Sequence, residues 1–146
     1  MLEFLKISLL FTAFGCLFEV GFTAIYDSLE QLITKGKAKV DIRFFGYWSI
    51  LYTFIYGVLL PAFWIIISIP YVYDLHWTLR AAIYGGTFQI GEYCTMYLFH
   101  KIFGESPSES HYKGKLDSIQ NFTRLSYFPI FILEAFSFEL IYSLFM

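Results

Sequence analysis

The chain has 146 residues, of which 58% are hydrophobic, 23% aromatic and 15% charged, with a formal net charge of −2. Ordinary globular chains carry about 25% charged and about 45–50% apolar residues, and a small soluble domain needs polar side chains to cover its large surface. The composition therefore excludes a soluble domain, a disordered chain and a basic nucleic-acid binder, and it fits an integral membrane protein.

A membrane-crossing helix needs about 20 mostly apolar residues. Four stretches meet that length: residues 4–33, 45–72, 77–103 and 125–145. They predict an all-α, polytopic membrane protein, a four-transmembrane-helix bundle forming one domain over 1–146. The first stretch is too long, and too interrupted by Glu19, for a cleaved leader. It continues past Asp27 as an amphipathic extension. Along it Ser8, Thr12, Gly15, Glu19, Thr23 and Asp27 recur every three or four residues, which places a polar stripe on one helix face.

The connection 34–46 is short and basic. The second stretch carries Pro61 and the fourth Pro129, and a proline inside a membrane helix marks a kink. Asp74, Leu75 and His76 make a tight turn into the third stretch, where Gly85, Gln89 and Glu92 continue the inward stripe. The connection 104–118 is rich in Gly, Ser, Pro and charge, as a surface loop is. Residues 118–124 are expected to lie at the membrane interface.

Lys35, Lys37, Lys39, Arg43, Lys101, Lys113, Lys115 and Arg124 flank the first and third connections, against Lys6 and Arg80 on the other side. The excess of Lys and Arg places loops 34–46 and 104–118 in the cytoplasm. In this topology the sequon Asn121-Phe-Thr123 is cytoplasmic as well. Trp48, Tyr71, Tyr73, Trp77 and Tyr112 fit interfacial belts.

The chemistry-bearing residues are acids inside apolar stretches, where each costs about 2.5–3.5 kcal/mol to insert. Glu19, Glu92 and Glu134 are counted to a similar level, about 12–15 Å from the cytoplasmic boundary. Glu139 lies about 140° around its helix from Glu134, so the two cannot share a face. Arg80 and Lys101 stand near helix ends and can snorkel, so the acids are expected to be held by protons and hydrogen bonds, not by ion pairs. Such a set is either a proton, cation or cationic-ligand site, or packing glue between helices. Cys16 and Cys94 fit packed thiols. The spacing of His76, His100 and His111 fits no metal site. No nucleophile or phosphate-loop motif is present, so no catalytic residue, metal or cofactor is expected, and a non-enzymatic protein is favoured over an intramembrane enzyme.

Gly15-Cys16-x-x-Glu19-Val20-x-Phe22-Thr23-Ala24 resembles the first-helix signature of the transmembrane protein 229 family, whose bacterial relatives are labelled type IV ABC-transporter membrane proteins, or CmpB-like. Further matches follow in order: Phe54-Ile55-Tyr56-Gly57, Ile83-Tyr84 with Gly91-Glu92, and Leu125-x-Tyr127 with Glu139. Where the family has Trp-Asp-Tyr in the last loop, this chain has Ser110-His111-Tyr112. The resemblance implies a four-helix membrane protein and singles out Glu19, Glu92 and Glu139; Thr23, Gln89 and Tyr127 complete the candidate ligand- or ion-binding set. The first functional expectation is a transport-like permease component with an acidic site, working as a homo-oligomer or with a partner membrane protein, because four helices alone enclose little volume. The alternative is a lipid- or hydrophobic-ligand-binding or accessory protein without transport.

Overall fold

The computed structural model describes residues 2–35 and 49–146. The expected connection 34–46, the start of the second stretch at Phe45, and Trp48 lie wholly or largely outside the described residues, as does the side chain of Asp27. The described residues are mostly helical, at 82%, and divide into two compact units, one ending at Pro61 and the other starting at Ala62.

Helix α1 is Leu2–Lys35. Ile7, Phe11, Gly15 and Thr23 are buried along one line at intervals of four or eight, while Leu2, Leu9, Leu17 and Ile25 stand exposed. The outer face is apolar, and the inward line passes from the large Ile7 and Phe11 to the small or hydroxyl-bearing Gly15 and Thr23. Helix α2, Ile50–Val72, begins at Ser49, whose hydroxyl accepts from the Leu51 N–H at 3.3 Å, a standard N-cap. Its stretches Ile55–Leu59 and Trp64–Val72 are π-helical. The wider register lets Leu60 N–H reach the Ile55 carbonyl and Tyr73 N–H the Ser68 carbonyl. It absorbs the hydrogen bonds that Pro61 and Pro70 cannot make.

In the first unit α1 and the start of α2 meet at glycines. A Cβ on Gly15 would clash with the Tyr56 ring, 2.5 to 2.7 Å from its Cδ atoms, and one on Gly57 would lie 2.8 Å from Thr12 Oγ1. Only glycine allows so close an approach.

The second unit is built on α3, Trp77–Phe103, and α5, Phe128–Phe145. Gly104, at φ 83°, closes α3 by donating its N–H to the His100 carbonyl at 2.9 Å, the left-handed stop that glycine favours. The two helices run antiparallel: Tyr84 meets Phe136 edge-on, Phe88 meets Phe131, and Gly85 lies under Phe128 and Ile132. Pro129 stands in the first turn of α5, where its missing N–H is unneeded. It starts the helix and does not kink it, contrary to the expectation from its position in an apolar run.

Between α3 and α5 the chain folds into a cap. A one-turn helix α4, Glu109–Tyr112, is followed by strands β1, Ser118–Ile119, and β2, Thr123–Arg124, paired antiparallel. Gln120 and Asn121, both at positive φ, make the turn, closed by Phe122 N–H donating to the Ile119 carbonyl at 2.9 Å. Ser106, Pro107, Ser108, Tyr112, Phe122, Thr123 and Arg124 are buried. The segment is thus a folded element, not the open surface loop that its composition suggests.

Three helices, Leu2–Tyr26, Ile50–Val72 and Leu125–Phe145, are long and apolar enough to cross a membrane. The fourth expected span, α3, has the length, at about 40 Å, but its Arg80, Gln89, Glu92, His100 and Lys101 leave it less apolar than those three.

Candidate functional site

The acids fall into three separate settings. In the first unit Glu19 half-emerges from α1, and Tyr56 donates its hydroxyl to Glu19 Oε2 at 3.2 Å. Tyr56 reaches it because its ring rests on Gly15, one helical turn earlier. Thr23 turns its hydroxyl back to the Glu19 carbonyl of its own helix at 2.8 Å.

In the second unit Glu139 of α5 faces α3. Arg80 Nη1 donates to Glu139 Oε1 at 2.5 Å and to the Tyr73 carbonyl at 3.1 Å. Tyr84 donates to Glu139 Oε2 at 2.9 Å and has Ser68 Oγ at 2.8 Å, an α2 hydroxyl that can donate in turn. The Arg80 guanidinium lies over the rings of Tyr73 and Phe136, 5.9 and 5.5 Å from their centres. Trp64 stacks on Tyr84 at 5.6 Å. Arg80 was expected to snorkel away from the acids. Instead it forms an ion pair with one, because α3 and α5 run antiparallel and bring its level to that of Glu139.

Glu92 sits about 18 Å farther along α3 than Arg80, so the two acids of this unit do not converge. Tyr112 of α4 donates to Glu92 Oε1 at 2.8 Å, and Thr123 of β2 donates to Oε2. The amide of Gln89 donates to Thr123 Oγ1 and, at 3.2 Å, to the Arg124 carbonyl. Since Thr123 lies two residues before the apolar helix Leu125–Phe145, Glu92 stands level with the head of that helix. The cap lies alongside the last turns of α3, not beyond them. Tyr112, expected in an interfacial belt, is buried in this network. Glu134 of α5 is buried, 3% exposed. Tyr127 is buried, edge-on to Tyr112 and Phe131, with the Arg124 guanidinium 5.2 Å from its ring centre; it forms the wall of the cap.

The Glu92 network makes Thr123→Val a sharp test. The change keeps the shape but removes the hydroxyl that both Gln89 and Glu92 use, at a cost of about 2 kcal/mol. Hydrogen exchange over 109–124 should accelerate while that of α5 is unchanged; equal exchange would show that the cap is held by other contacts.

Asp117 fastens the cap to α5. Its carboxylate accepts from Arg124 Nε and Nη2 at 3.1 and 2.9 Å, from the Ser126 N–H at 3.1 Å and from the Ser126 hydroxyl. Partial burial disfavours its charge, but the hydrogen bonds from Arg124 and Ser126 and the guanidinium charge outweigh it and bring the group down to about 2. An acid held below its unfolded value stabilises the fold above that value, so the contribution is complete at neutral pH. It is lost as pH falls from about 4 towards 2. Melting curves across this window should show an acid-linked loss that Asp117→Asn abolishes; a loss of equal size in that variant would assign it to another group. Glu109 is also held below the usual carboxylate range, first by the hydrogen bond with His100 Nδ1 at 2.8 Å.

Neither cysteine is in a disulfide, and Cys94 is exposed on α3, not packed. Among the described residues no group of His, Cys, Asp and Glu is placed to hold a metal ion. Sequence reasoning missed the part played by Arg80, Tyr112, Asp117 and Thr123. The one available signal was the pairing of opposite charges, Asp117 and Arg124, around the short hairpin. No family model, curated protein or solved structure matches the chain.

Proposed function

We propose that the chain is a four-span membrane protein of accessory type, in which α3 crosses the bilayer with the three more apolar helices. Its outer faces then bind lipid or a partner membrane protein. The observation that carries this reading is that Glu92 and Glu139 are engaged by side chains of this chain. With Arg80 on Glu139 and two hydroxyls on Glu92, the insertion cost of about 2.5–3.5 kcal/mol per charged residue is offset from within. The exposed residues of α1 and α5, such as Leu9, Leu17, Leu133 and Leu140, are what acyl chains or an apolar partner would cover. Kinship with the transmembrane protein 229 family belongs to the same proposal, as does the cytoplasmic placing of loops 34–46 and 104–118.

The test is flux in proteoliposomes. The purified protein should add no proton or potassium leak to empty vesicles, and native mass spectrometry should find lipid or a membrane protein still bound. A flux removed by Glu92→Gln or Glu139→Gln would overturn the reading.

A second reading keeps transport, at Glu19. Among the described residues its carboxylate has one hydrogen bond, the 3.2 Å contact from Tyr56, and no ion pair. That leaves acceptor capacity for a proton, a cation or a cationic ligand. On this reading the chain is a permease component, and more than one copy lines the path. Proton uptake by vesicles that Glu19→Gln abolishes and Glu92→Gln spares would establish it; uptake unchanged in Glu19→Gln would dismiss it.

A further inference from the structure

The tip of the cap carries an exposure that neither reading uses. Leu116 is 106% exposed, the most open of the large apolar side chains among the described residues. Isolated surface leucines are common, but this one is placed. The next residue, Asp117, accepts the N–H of Leu125 on its carbonyl at 3.0 Å, and its carboxylate takes the N–H of Ser126. Leu125 is the first residue of the apolar helix Leu125–Phe145. Leu116 is therefore pinned beside the point where that helix would enter the bilayer.

Leu125, whose N–H Asp117 holds, is also exposed, so the head of the apolar helix beside the tip is apolar on its outer side. Lys113 and Lys115 flank the tip, and Gly114 at φ 80° turns the chain between them. Two of the acids nearby are engaged internally, Glu109 by His100 at 2.8 Å and Asp117 by Arg124 at 2.9 Å. Over residues 101–124 Lys101, Lys113, Lys115 and Arg124 stand against Glu105, Glu109 and Asp117, an excess of one positive charge. A protruding leucine between two lysines, at the head of an apolar helix, suits an anionic headgroup layer: the side chain enters the acyl boundary and the ammonium groups meet phosphates.

We propose that the tip Lys113–Leu116 is a membrane-surface anchor, in which Leu116 embeds in the interface of the bilayer that holds the chain and Lys113 and Lys115 select anionic lipid. The proposal rests on the reading that the chain lies in a bilayer.

The experiment places a nitrobenzoxadiazole probe at Leu116→Cys in a Cys16→Ala, Cys94→Ala background. The protein is held in nanodiscs of phosphatidylcholine, with or without about one third phosphatidylglycerol. In the anionic discs the emission should shift to the blue and be quenched by a lipid spin-labelled near its headgroup. Adding Lys113→Gln and Lys115→Gln should lower the ratio of inserted to free probe on the order of tenfold. Water-like emission in both kinds of disc overturns the proposal, and so does equal burial in both, since the lysines would then select nothing. The same probe at Leu133→Cys, an exposed position on α5, must be quenched by lipid in either disc. If it is not, the bilayer reading itself has failed.

Discussion

Replacing Arg80 by alanine is expected to destabilise the second unit by about 3 kcal/mol. Arg80 and Glu139 are 20% and 13% exposed, so the pair is largely removed from solvent. Among the described residues, loss of the guanidinium leaves Glu139 with only the hydroxyl of Tyr84 and no counter-charge. An isolated charge in such a place costs far more than the pair contributes. Removing both charges should therefore restore most of the loss: Arg80→Leu with Glu139→Leu is expected to melt within a few degrees of the parent. Thermal unfolding in one detergent, run as a double-mutant cycle, measures this directly. If Arg80→Ala cost less than about 0.5 kcal/mol, the pair would be behaving like a solvated surface contact.

The second large effect is expected at Gly15. Its backbone supports the ring of Tyr56, and an added Cβ would clash with that ring. Gly15→Val forces α1 and α2 apart or expels a side chain that is 6% exposed. A cost of about 3 kcal/mol follows, at the upper end of overpacking effects. The same change withdraws the Tyr56 hydroxyl from Glu19, which Tyr56→Phe does without moving the ring. Comparing the two variants by melting separates packing from hydrogen bonding. The valine variant should lose several times what the phenylalanine variant loses, and parity would show that the helices are not held at Gly15.

The helices were legible because apolar runs of bilayer length and their stop signals are local. The end of α3 at Gly104 could be read from composition and spacing alone. The partners of the acids were not legible. Glu139 is met by Arg80 and Glu92 by Thr123, pairs far apart in sequence that only the antiparallel packing of α3 on α5 and the folding of the cap bring together. Hydropathy also misread the cap. Its buried groups are polar ones that satisfy each other, Arg124 with Asp117 and Thr123 with Glu92 and Gln89, so a sequence scan registers only polarity. Pro129 was misplaced for a related reason: whether a proline kinks a helix or starts it depends on where the preceding turn ends, and the 3₁₀ turn Leu125–Tyr127 leaves no mark in an apolar run.

Helix α3 is the least apolar of the four long helices, and it can cross a bilayer only if its Arg80 and Glu92 are neutralised from within. Single cysteines at Asp74 and Glu105, in a Cys16→Ala, Cys94→Ala background, flank that helix in turns exposed at its two ends. In sealed proteoliposomes of uniform orientation, a membrane-impermeant thiol reagent added outside should label one of them and reach the other only after the vesicles are opened. Labelling of both from the same side would show that Trp77–Phe103 does not cross, and the four-span account would be contradicted.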